Sequence, residues 1–162
     1  MEINREFFEA IRPVLAKLRS RIAGDFVVFG SAPLYLYGVR PFNSLDDLHD
    51  LDVFVAGEIV DEEGARVVLF ENDPDKKLYK FVIDGVEVDC GGLWAGHETW
   101  IQLILADPVE IGGYKFASLD TTLAWKRLMV EKFDRGKDRQ AVSEIEDFLS
   151  AAARSSANQL PG

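Results

Sequence analysis

Apolar residues recur at intervals of three and four through the first part of the chain: Phe7, Phe8, Ile11, Val14, Leu15, Leu18 and Ile22. That spacing aligns them on one side of a helix and predicts an amphipathic helix over residues 4–23, bent where Pro13 removes a backbone hydrogen bond. Gly24 then stops it. The pattern changes at DFVVFG, a nearly continuous apolar run that predicts a short strand buried on both faces. Ser31 follows as the cap of a short helix, APLYLY, with Pro33 tolerated in its first turn and Gly38 available to end it.

The next segment, VRPFNSLDDLHD, is loop by its Pro, Asn, Ser and Asp content, and leads into the strand LDVFV. ARVVLF predicts a third strand before the polar turn ENDPDKK. LYKFVIDGVEVDCGG is the strongest local signal: two alternating strands joined by Asp84-Gly85, a pair suited to a two-residue hairpin turn. Such a turn sets Ile83 opposite Val86 and Lys80 opposite Asp89. A helix or helical turn near residues 97–105 and a short strand come next, and helical periodicity returns over Leu119–Phe133 and Lys137–Ala152. This order predicts an α/β fold, a mixed twisted sheet flanked by helices, with the C-terminal helices closing one side. Residues 1–153 form one domain in this reading, and RSSANQLPG, residues 154–162, a flexible tail.

Composition narrows the chemistry. No run approaches the roughly 18–20 apolar residues of a membrane span, and the opening MEINREFFEAIRPVLAKLRSRIAG is unlike a signal peptide, so the expected location is the cytoplasm. A single cysteine, Cys90, excludes an internal disulfide and a multi-cysteine metal centre, and reads as a small strand residue. With only His49 and His97 besides, both read as loop residues, a bound metal would be held by carboxylate oxygen, which selects magnesium or manganese. The formal charge of −10 argues against sequence-blind binding along DNA or RNA. Lys126, Arg127, Lys132, Arg135, Lys137 and Arg139 nevertheless crowd one stretch and leave room for a local anion site. Trp94, Trp100 and Trp125 read as core, with one of them available to stack on a base.

Two aspartates open the strand LDVFV. Alternation turns Asp50 and Asp52 the same way, and in the hairpin Glu87 and Asp89 share the face opposite Val86, Val88 and Cys90. Converging carboxylates repel one another unless cations sit between them, and a pair of divalent ions removes that repulsion. The Gly30-Ser31 corner between strand and helix is a place where a phosphate can be held. Each residue also has a plainer reading. Lys80 can form an ordinary cross-strand ion pair with Asp89, Glu87 lies near the solvated hairpin tip, and Lys137 and Arg139 read as surface charges. Lys126 falls within the helical stripe of Leu119, Leu123, Val130 and Phe133, where a lysine either snorkels outward or reaches a buried anion.

FGSAPLYLYG, HDLDVFV and VEVDC resemble, in that order, the Gly-Ser corner, the paired-Asp motif and the later single carboxylate of the nucleotidyltransferase superfamily related to DNA polymerase beta. FASLDTTLAWKRLMVEKFDRGKDRQAV is similar to the helical region of small prokaryotic members, including the toxin-type group represented by the abortive-infection proteins. The resemblance covers residues 25–145. It implies the minimal nucleotidyltransferase fold and transfer of a nucleoside monophosphate from a nucleoside triphosphate to an acceptor, with pyrophosphate released. Carried over by position, Gly30 and Ser31 hold the triphosphate, while Asp50, Asp52 and Asp89 hold two Mg²⁺ or Mn²⁺ ions. Glu87 competes with Asp89 for the third ligand. Lys126 reaches a phosphate, and Asp138 serves as a base or substrate contact. The chain departs from the pattern in the inserted FNSLDDLH, which makes Asp46 and Asp47 rivals of the paired aspartates. The acceptor, whether a small molecule, a protein side chain or an RNA end, is not specified. The alternative is a non-catalytic nucleotide-binding or interaction module, one half of a toxin and antitoxin pair with a protein partner.

Overall fold

In the computed structural model, which describes residues 2–69, 77–92 and 98–158, the Asn4 side chain accepts the backbone N–H of Phe7 at 3.1 Å and starts helix α1, Arg5–Arg19. Its buried residues Phe7, Phe8, Ile11, Val14, Leu15 and Leu18 are the predicted apolar stripe. There follow β1 (Ile22–Ala23), β2 (Phe26–Phe29), α2 (Ala32–Leu36), β3 (Leu51–Val55), β4 (Glu58–Ile59), β5 (Arg66–Leu69), β6 (Lys77–Ile83) and β7 (Val86–Gly91). The chain closes with α3 (Glu98–Leu105), β8 (Val109–Ile111), β9 (Tyr114–Phe116), α4 (Leu119–Phe133) and α5 (Gly136–Asn158). Most of ENDPDKK, together with Trp94, His97 and the side chain of Trp100, lies outside the described residues.

Seven strands make one mixed sheet in the order β5-β6-β7-β3-β2-β9-β8. The hairpin forms in the expected register: Asp84 and Gly85 take φ of 52° and 80°, Ile83 pairs with Val86, and Lys80 pairs with Asp89. β7 runs parallel to β3, with Asp52 beside Asp89, while β2 runs antiparallel to β3, with Phe29 beside Asp52. Three central strands therefore bring FVVFG, HDLDVFV and VEVDC side by side.

Alternation along these strands builds two layers of core. Val28, Val53, Val88 and Cys90 join the larger cluster with α1 and α2. Val27, Phe29 and Phe54 face the other way and pack with Ile104, Trp125 and Met129 of α3 and α4. Asp52, two residues before Phe54, and Asp89, register partner of Asp52, belong to this second face. Beyond Phe29 and Phe54 the face is acidic instead of apolar.

Three expectations need correction. α1 ends at Arg19, and Ile22–Ala23 pair with Glu58–Ile59 as a separate two-stranded sheet. Ile22 is buried in the same core as the helix, so periodicity alone extends the helix past its end. The single strand expected after α3 is a hairpin, β8 and β9 joined by Gly112-Gly113 with φ of 57° and 84°. The last helix, expected to end at Ala152, runs on to Asn158, because Ala151, Ala152 and Ala153 favour helix and no breaker precedes Pro161.

Candidate functional site

The parallel pairing of β3 and β7 places Asp52 next to Asp89, and Asp50 lies just before β3. One carboxylate oxygen from each of Asp50, Asp52 and Asp89 comes within 4.8 Å of the other two. Asp89 is buried, and Asp50 and Asp52 are half-buried. Burial foremost, then the charges of Asp50 and Asp89, pushes the Asp52 carboxyl up from its ordinary 3.8 to about 7, with Lys126 and Lys137 pulling it back. The plainer reading of Asp89 is also realised: Lys80 Nζ donates to its two oxygens at 3.2 and 3.1 Å.

Gly30 has φ of 74°, and a Cβ placed on it would fall 2.3 Å from Asp52 Oδ2. The glycine therefore leaves room for a carboxylate, a reason the sequence did not reveal, besides any approach of a phosphate. The adjoining α2 has only five residues, so its dipole contributes little. Ser31 does not cap α2 with its side chain; its Oγ accepts instead from Lys126 Nζ at 3.0 Å.

Lys126 is 6% exposed and reaches a buried anion, as one of its two readings required. Its ammonium lies 3.4 Å from Asp138 Oδ1, and Arg135 Nε donates to Asp138 Oδ2 at 2.8 Å. Burial lowers the pKa of Lys126, while the charges of Asp138 and Asp52 oppose that shift. Asp138 has no exposed surface, and both of its oxygens are engaged by cations. This placement suits a residue that positions Lys126 and Arg135 better than one that touches a substrate.

A cavity of about 270 Å³ lies over the acidic face, lined by Ser31, Asp50, Asp52, Asp89 and Lys126, with Arg135 and Lys137 contributed by the start of α5 and the turn before it. A second cavity of about 440 Å³ shares Ser31, Asp50, Lys126 and Lys137 and extends past Tyr35, Arg40 and His49. Lys137 thus faces the site instead of being only a surface charge. Arg139 pairs with Asp134 at 3.1 Å on the exterior, as expected. Arg135 was legible only as one member of a basic run.

Several rivals fall away on geometry. Glu87 is exposed opposite Val82, which is itself 70% exposed. The FNSLDDLH insertion folds into a short 3-10 turn, Leu45–Asp47, in which Asp47 accepts the backbone N–H of Asn43 at 2.8 Å. Asp46 is exposed, and neither aspartate joins the cluster. His49 is an exposed loop residue. Cys90 is buried, its thiol pushed up to about 12 by burial and then by Asp89, an unreactive strand residue as expected. Trp125 is core, edge-on to Phe29 at 5.2 Å, but Phe133, expected within the apolar stripe, is 50% exposed because α4 ends there.

No family model, curated protein or solved structure matches this chain. The resemblance to nucleotidyltransferases therefore rests on the four motifs alone. Among the described residues, the three aspartates offer hard oxygen donors from three side chains and no thiolate or imidazole, which fits a divalent cation of the magnesium or manganese type. The same cavity is lined by Lys126, Arg135 and Lys137, cations able to bind an anion. No described helix is long and apolar enough to cross a membrane.

Proposed function

We propose that this protein is a metal-dependent nucleotidyltransferase, moving a nucleoside monophosphate from a nucleoside triphosphate to an acceptor. One observation carries the reading: three carboxylates, two on neighbouring strands and one just before the first of them, converge within 4.8 Å and line the same cavity as the buried Lys126. A site with anionic and cationic halves binds a metal and a polyphosphate together.

Asp50, Asp52 and Asp89 would hold two Mg²⁺ or Mn²⁺ ions, which when bound neutralise charge on the attacking and leaving oxygens. Lys126, aimed by Asp138 and Ser31, binds a non-bridging phosphate oxygen, and Arg135 and Lys137 extend that grip. Gly30 keeps the Asp52 carboxylate seated against the β2 end. The acceptor oxygen forms a bond to the α-phosphorus as the bond to pyrophosphate breaks, and the acceptor proton passes to water. The acceptor is a small molecule, a protein side chain or an RNA end.

The Lys80–Asp89 ion pair favours a second reading, nucleotide binding without transfer, as in an interaction module paired with a protein partner, because Lys80 already neutralises one ligand. A nucleotide panel with magnesium, followed for binding and pyrophosphate release, separates the two. Transfer predicts pyrophosphate release that chelator abolishes, with label from the α-phosphate appearing on an acceptor in lysate. Binding without release selects the second reading, and neither binding nor release removes both.

A further inference from the structure

The cavity over the aspartates has a second wall of different chemistry. Trp125, Met129 and Phe133 stand at successive turns of α4, and together with Phe29 they form its apolar side. Trp125 and Met129 are buried, whereas Phe133 shows half its surface to solvent where the helix ends. Lys126 and Phe133 are separated by about 10 Å of helical rise, so the cationic and aromatic ends of the cavity are distinct regions of one groove. Arg135 connects them: its guanidinium lies 5.6 Å from the centre of the Phe133 ring while its Nε holds Asp138.

A ligand matched to this groove is anionic at one end and flat and apolar at the other. We infer that the Trp125–Met129–Phe133 face is the nucleobase platform of the site, with the base resting at its outer, Phe133 end and the phosphates running inward to Lys126. This inference rests on the nucleotidyl-transfer reading and adds the determinant of base preference. Among the described lining residues, the charged groups and the only hydroxyl belong to the phosphate and metal end, except that Arg135 reaches the Phe133 ring from its Nε anchor on Asp138. Apart from the Trp125 indole N–H and the weakly accepting Met129 sulfur, the apolar wall itself has no side-chain donor or acceptor to read a base edge. Stacking then supplies the affinity, and stacking tolerates any base, favouring the larger purine rings.

The test measures affinity of the magnesium-loaded full chain for ATP, GTP, CTP, UTP and inorganic tripolyphosphate by calorimetry, in wild type, Phe133→Ala and Phe133→Trp. The platform predicts that ATP and GTP bind within about threefold of one another and about tenfold more tightly than tripolyphosphate. Phe133→Ala should lose most of that tenfold advantage with tripolyphosphate affinity unchanged, and Phe133→Trp should keep or enlarge it. A preference of more than tenfold between ATP and GTP, or an undiminished nucleoside advantage in Phe133→Ala, overturns the platform while leaving the phosphate site standing. Equal binding of ATP and tripolyphosphate by wild type does the same. If wild type binds neither, the nucleotide reading fails, and the platform with it.

Discussion

Asp52 holds its proton more tightly in the folded protein than in the unfolded chain, because burial and two neighbouring carboxylates raise its pKa to about 7. A group shifted upward in this way weakens the fold as pH rises from about 4 to about 7, and the deficit is complete above that range. In chelator, Asp52→Asn should therefore be more stable than wild type at pH 8, by roughly 1–3 kcal/mol, and its stability should vary less across pH 4–8. Magnesium should stabilise wild type and leave the variant almost unchanged. Thermal melts in chelator and in magnesium at several pH values decide the matter; a variant less stable than wild type in chelator and equally responsive to magnesium would make Asp52 a structural hydrogen-bonding residue.

At the scale of elements, the joint between α4 and α5 aims the site's cations. Asp134 takes a left-handed φ of 49°, which ends α4 and lets Arg135, Lys137 and Asp138 return toward Lys126. Lys126→Met leaves buried Asp138 with Arg135 as its remaining cation, so it should cost about 2 kcal/mol, short of the roughly 3–5 expected when a buried ion loses its only partner. Triphosphate binding should fall at least tenfold with magnesium binding retained. Calorimetry with nucleotide and with metal alone would return Lys126 to a purely structural role if nucleotide affinity were unchanged. The elements carrying the acidic cluster were legible because each is a local pattern: a two-residue turn fixes a register, and alternation fixes a face. That logic anticipated Lys80 opposite Asp89 and the shared side of Asp50 and Asp52. The convergence of Arg135 and Lys137 was not legible, since it depends on how two helices meet across one left-handed residue. Nor was the contact that makes Gly30 obligatory, because Asp52 is 22 positions away and packs on it only through the β2–β3 pairing.

For the molecule as a whole, a formal charge of −10 surrounds a groove with a basic wall. Phosphate-backbone binding needs an extended positive surface, and Arg127 and Arg139, outside the groove, are already paired with Glu146 and Asp134. Random-sequence duplex DNA should show no retention in a gel-shift assay at physiological salt, and tight, salt-sensitive retention there would contradict this charge distribution. The same accounting applies to the acidic face, where the chain carries its own counter-ion. Lys80 spans both oxygens of Asp89, so an arriving divalent ion has a resident competitor, and occupancy depends on an exchange between two cations. Lys80→Met should bind magnesium roughly tenfold more tightly, yet melt at a lower temperature in chelator, where three carboxylates are left facing one another. Unchanged magnesium affinity in that variant would mean that lysine and metal occupy separate sides of Asp89. With exchange, the protein stays folded when magnesium is scarce and fills its site only above a threshold set by one side chain on the neighbouring strand.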